Sequence, residues 1–107
     1  MSSFNEREKG FENKYKHDEE LRFKVTARRN KLLGLWAAGR MGLTGAAADA
    51  YAREVVRSDF EAKGDADVLQ KVLADLTAKK LDVSEHAVRR RMDELLVEAK
   101  AQLMKEV

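Results

Sequence analysis

Three features of this sequence predict an all-α fold, a four-helix bundle with a flexible N-terminal segment. Proline is absent, β-branched residues are scattered and do not alternate with polar ones, and apolar residues recur at helical spacing in four successive stretches joined by short turns. The 107 residues, 44% of them hydrophobic, suit a single small core. We read residues 1–18 as a flexible arm and residues 19–107 as a folded body.

The arm comes first. Arg7, Lys9, Lys14 and Lys16 balance Glu6, Glu8, Glu12 and Asp18, and the stretch holds no aliphatic residue beyond Met1. It cannot bury enough alone to stay folded. Phe4, Phe11 and Tyr15 nevertheless stand at i, i+7 and i+11, which on a helix gathers them within about 40°. The stripe stops where Arg22 would continue it, and Gly10 weakens the helix by about 1 kcal/mol relative to alanine. Two outcomes stay open: an arm disordered when free and helical on a partner, or a tail whose aromatics fold back onto the bundle.

The central helix is expected to start near Asp18 or Glu19 and to stop at Gly39 to Gly42. Leu21, Val25, Leu32, Leu35 and Trp36 share one arc of it, while Phe23, Ala27, Ala37 and Met41 gather on the other side. A helix apolar on two faces wants neighbours on both. Arg28, Arg29 and Lys31 read as a solvated edge pairing with acids of a neighbouring helix, and Trp36 as a core anchor.

Thr44 is expected to cap a second helix reaching about Ala62, with Ala48, Tyr51, Ala52, Val55 and Ala62 on one side. Its small alanines would let a neighbour approach closely. Asp59 is expected to pair with Arg28 or Arg29. Gly64 would close this helix and Asp65 cap the next, where Val68, Leu69, Val72, Leu73 and Leu76 make the clearest amphipathic pattern in the chain. Leu81-Asp82-Val83 reads as a connector tucked inward, and Ser84 as the cap of a last helix along Val88, Met92, Leu95, Leu96, Ala99 and Leu103. Arg89 to Asp93 and Arg90 to Glu94 are available there as i,i+4 pairs.

Several function classes fall away. The chain has no cysteine, and His17 and His86 lie at no zinc or di-iron spacing, so we expect no metal and no cofactor. Its few serines sit in no nucleophile elbow and its glycines in no phosphate loop, so no catalytic residue is assigned and no enzyme is expected. Twenty-one basic residues against nineteen acidic ones leave a net charge of +2, interleaved along every face, which argues against nucleic acid. No run approaches a signal peptide or a membrane span, so a cytoplasmic protein without membrane insertion is expected. What remains is a helical-bundle binding module for another protein, with nucleic acid as a weaker alternative.

The wording of the chain narrows this. FNEREKGFENKYKHDEELRFK, then ARRNKLLGLWAA over Ala27 to Ala38, then AYAREVVRSDFEAKGDADVLQKV and RRRMDELLVEAKAQL together resemble the zeta subunit of the alphaproteobacterial F-type ATP synthase, an ATPase inhibitor. The resemblance covers nearly the whole chain in order. It implies a four-helix bundle whose N-terminal segment enters the catalytic head of the synthase as a helix and blocks ATP hydrolysis. Carried onto this sequence, it implies partner contacts at Phe4, Glu6, Arg7, Glu8, Phe11, Lys14, Tyr15, His17 and Asp18. Adenine-nucleotide binding by the bundle has no supporting loop here.

Overall fold

A computed structural model describes the backbone of residues 3–61 and 64–106 and the side chains of residues 6–60 and 64–106. Five α-helices and no strand occur among the described residues: α1 Ser3–His17, α2 Glu19–Arg40, α3 Gly45–Glu61, α4 Asp65–Ala78 and α5 Glu85–Glu106. The four expected helices are α2 to α5. The stretch left open between a partner-bound helix and a fold-back tail is α1, and here it is a helix packed against α2 and α5.

α2 is central because both its faces find neighbours. Leu33, Ala37 and Ala38 join Tyr51 and Val55 of α3, Val68, Leu69, Val72 and Leu76 of α4, and Val88, Met92 and Leu95 of α5 in the larger of two apolar clusters. The approach of α2 to α3 is tight: a Cβ built at Gly34 would stand 2.6 Å from Ala52 Cα. That contact explains a glycine in mid-helix, where it otherwise costs about 1 kcal/mol. Ala52, placed by its spacing on the close-packing face of α3, is the residue approached.

Two helix ends close alike. At the end of α2 the Leu43 N–H donates to the Ala38 carbonyl at 2.8 Å and that of Gly42 to Gly39 at 3.1 Å, with Gly42 at φ +80°. At the end of α4 Leu81 donates to Leu76 at 3.1 Å and Lys80 to Thr77 at 2.8 Å. Both are Schellman turns, which fold the next apolar residue back inward. Leu43, Leu81 and Val83 accordingly pack on the large cluster, as the connector reading expects of Leu81 and Val83. Lys80 takes a left-handed φ of 61°, which glycine would adopt without strain.

Several polar residues differ from expectation. Arg29, expected at a solvated edge, is 4% exposed. Its guanidinium donates to Asn30 Oδ1 at 3.1 and 2.9 Å and to Asp65 Oδ1 at 2.8 Å. Asp65 is therefore occupied with Arg29 and does not cap α4, whose N-cap is Gly64 with no side-chain hydrogen bond. Asp59 pairs with neither arginine, because Arg28 is taken by Gln102 and Glu106 of α5; its Oδ1 accepts instead from the Gly64 N–H at 3.4 Å. On α5 the described intrahelical ion pair is Arg91 to Glu94, at 3.5 Å. Arg91 also lies over the half-buried Trp36, 5.5 Å from the ring centroid.

The expected cap of α5 is present. Ser84 Oγ accepts the Ala87 N–H at 3.0 Å, and the Tyr51 hydroxyl donates to Asp75 Oδ2 at 2.8 Å. Burial first, then that hydrogen bond, push the Tyr51 hydroxyl well above its usual range, so it stays a donor. Among the described residues no helix is long and apolar enough to cross a membrane.

Candidate functional site

α1 is joined to α2 by Asp18 alone, the one non-helical residue between them. Asp18 is extended at φ −109° and ψ 106°, and its Oδ1 accepts the Leu21 N–H at 3.1 Å. This N-cap satisfies one of the free donors at the start of α2 and holds the chain at the bend between the helices. Arg22 completes the corner from the other side. Its guanidinium donates to the carbonyls of Tyr15 at 3.3 Å and Lys16 at 2.7 Å, the end of α1 where carbonyls lack helical partners and positive charge is favoured.

α1 rests on the smaller apolar cluster. Phe11, 7% exposed, joins Leu21 and Val25 of α2 and Ala99, Leu103 and Met104 of α5, with Tyr15 half-buried at the margin. Lys100 of α5 serves both edges of the seat. Its Nζ is 4.2 Å from the Tyr15 ring centroid and 3.6 Å from a Glu12 carboxylate oxygen. Behind the seat, Arg28 joins α2 to the end of α5 through its pair with Glu106, at 2.7 Å. The hydrogen bond to that arginine holds the Glu106 carboxyl below its usual range and raises the Arg28 guanidinium further.

The expected partner-binding residues thus divide into four groups. Phe11 and Tyr15 are brought together, and their partners are the protein's own α2 and α5. Glu6, Arg7, Glu8, Lys14 and His17 are exposed. Asp18 has a structural task as the N-cap. Phe4 lies within α1, and its side chain falls outside the described residues. The expectation missed Glu12, Arg22 and Lys100, which hold α1 down; the break of the aromatic stripe at Arg22 is the one signal of them.

Such a site is suited to reversible helix docking. Among the described residues no group of three or more His, Cys, Asp or Glu side chains is placed to hold a metal. Phe11 and Tyr15 offer area, Glu12 and Lys100 offer a weak charge lock, and nothing in the described seat forms a nucleophile with a base.

Comparison with known proteins gives a fold likeness and a family. A solved chain, determined by solution NMR, superposes with a TM-score of 0.71 and is 50% identical in sequence; the match covers 81% of this chain and 99% of that one. No curated protein sequence matches. The model of the family of ATPase inhibitor subunit zeta, a non-enzymatic regulator, matches residues 1–102. The chain therefore belongs to the ATPase inhibitor subunit zeta family.

Proposed function

We propose that this protein is a cytoplasmic regulatory subunit of the F-type ATP synthase that blocks ATP hydrolysis by inserting residues 1–18 as a helix into the catalytic head. Residues 19–107, a four-helix bundle, act as the docking body. Family membership implies an interaction with the ATP synthase. The observation that carries the finer reading is the shallow seat of α1, in which Phe11 is the only buried side chain among the described residues of that helix.

Burying one phenylalanine is worth about 1.5–3 kcal/mol, and an exposed ion pair such as Glu12 to Lys100 adds well under 1 kcal/mol. Lifting α1 off its seat therefore costs a few kcal/mol, which leaves roughly 0.1 to a few per cent of molecules open at any moment. The apparent affinity for the head falls by that fraction. A foreign groove that takes Phe11 and Tyr15, and that also meets the exposed Glu6, Arg7, Glu8, Lys14 and His17, recovers more than the seat supplies. Inhibition is then effective but reversible.

The test is ATP hydrolysis by the isolated head of the synthase with the full chain and with a chain lacking residues 1–18. The full chain should inhibit and the shortened one should not. Equal rates with both would remove the proposal.

A further inference from the structure

The apolar side of α2 that includes Phe23 is expected to face a neighbour, yet Phe23 is 54% exposed. It does not stand alone. The described residues hold three large exposed hydrophobic side chains, and two of them, Phe23 and the 55% exposed Phe60 of α3, lie against each other with ring centroids 5.4 Å apart. Scattered exposed apolar residues are ordinary; two aromatics joined on one surface are the mark of an interface.

The pair stands on a groove between α2 and α3 whose two stretches are continuous through Lys31 and Val56. Phe23, Ala27 and Lys31 run along one wall at i, i+4 and i+8, and Arg53, Val56 and Phe60 along the other, so the groove is about 12 Å long, two helical turns. Lys31, Arg53 and Arg57 are exposed. None of the three is in an ion pair among the described residues. The acids at the margin are mostly engaged: Glu20 lies 3.5 Å from Lys24, and Glu106 holds Arg28. Beside the basic rim, Asp49 is the one acid among the described residues lining that stretch. An apolar ridge bounded by cations on both walls is complementary to a helix with one apolar and one acidic face.

We propose that this groove docks an acidic amphipathic helix exposed on the catalytic head of the synthase, as a second anchor beside α1. The inference rests on the function proposed above and names what the body does in it. The groove also reaches Lys14 and Asp18 at the root of α1, so a head held here keeps the arm within reach of its own target. Binding of the arm becomes an intramolecular step at raised effective concentration.

The test uses the full chain and the isolated head, with binding measured at low and at moderate salt. Phe23→Ala/Phe60→Ala and Lys31→Glu/Arg53→Glu should each weaken binding by about ten-fold or more. The charge-reversed chain should also lose most of the salt dependence. Circular dichroism and melting curves should match the native chain; should the aromatic variant melt early, the charge variant decides, because its two positions are exposed. Native binding by both variants overturns the second anchor while leaving the arm's inhibition standing. A native chain that neither binds nor inhibits the head removes both proposals. Self-association of the native chain that Phe23→Ala/Phe60→Ala abolishes would assign the groove to a second copy and overturn the acidic partner.

Discussion

The two apolar clusters of this molecule are built from the same residue types and differ in how they are closed. In the larger one, α2, α3, α4 and α5 all contribute, and Leu33, Val55, Val68, Val72, Leu76 and Val88 are 0% exposed. The smaller has no member from α3 or α4; only Val25 and Ala99 are fully covered, and Phe11, Leu103 and Met104 each retain 7% exposure. One is sealed by four helices, the other by a single short helix on a one-residue joint. A cluster sealed on one side by α1 belongs to the low end of the stability range within a fold, where moving parts are found. The contrast separates what holds the body from the seat that the proposed function requires α1 to leave.

The largest expected effect lies in the sealed cluster. Leu69 is 1% exposed at the meeting of α4 with the rest, so Leu69→Ala removes apolar contact and leaves a cavity, costing about 2–5 kcal/mol. Calorimetry should show one cooperative transition lowered by roughly 10 °C or more. An unchanged transition would mean that the large cluster does not govern global stability.

Phe11→Ala should behave differently. It takes about 1.5–3 kcal/mol from the seat of α1, but if α1 undocks as the proposed function requires, the loss stops at whatever docking is worth. Hydrogen exchange should speed up in α1, with global melting changed by no more than about 1 kcal/mol. A fall in melting temperature as large as that of Leu69→Ala would show that the two clusters unfold as one unit and that α1 is part of the body.

The same contrast explains what is legible in the sequence. Val68, Leu69, Val72 and Leu76 repeat at helical spacing because one face of α4 meets the core, and that pattern needs no knowledge of the partner. The aromatic stripe of α1 is equally regular, yet spacing describes a face and not its occupant, so it leaves the fold-back and the foreign partner open together. Arg29 reads as solvated because its burial depends on Asn30 beside it and on Asp65, thirty-six residues away. Gly34 carries a signal that hydrophobic spacing ignores: a glycine in mid-helix, with Ala48 and Ala52 on the next helix, marks a close approach. The N-cap of α4 falls one residue early, at Gly64 instead of Asp65, because a long-range ion pair outranks a local cap. Among the candidate site residues, the anchors Phe11 and Tyr15 are legible as a stripe, whereas Lys100 is contributed by a distant helix and is not.

Two glycine substitutions sharpen the comparison at lower energy. Lys80 sits at a left-handed φ in the turn after α4, so Lys80→Gly should relieve strain and stabilise the body by about 0.5–1 kcal/mol, read as a higher global melting temperature. Gly10 is exposed in α1, and a Cβ added there would meet nothing within 4 Å, so Gly10→Ala should stabilise the α1 helix by about 1 kcal/mol. Its effect should appear in exchange of the α1 amides and leave global melting where it was. A rise in global melting from Gly10→Ala would again join the two clusters.

Acid should produce the smallest effect, and it should act on the body. The hydrogen bond from Arg29 holds the Asp65 carboxyl below its ordinary value, and that from Arg28 does the same for Glu106. A carboxyl whose folded value is depressed stabilises the native state above its unfolded value, near 4, and loses that contribution as pH falls through the lower folded value. Melting temperature should therefore be insensitive to these two groups from pH 7 to about 5 and fall below about 4. The Asp65 side chain is 66% exposed, so solvent screening limits its share to at most about 1 kcal/mol. Asp65→Asn should lower stability slightly at neutral pH and flatten the acid limb, since the substituted group no longer titrates. An acid limb as steep in Asp65→Asn as in the native chain would mean that the pair between α2 and α4 contributes nothing to the sealed cluster, and that acid acts elsewhere.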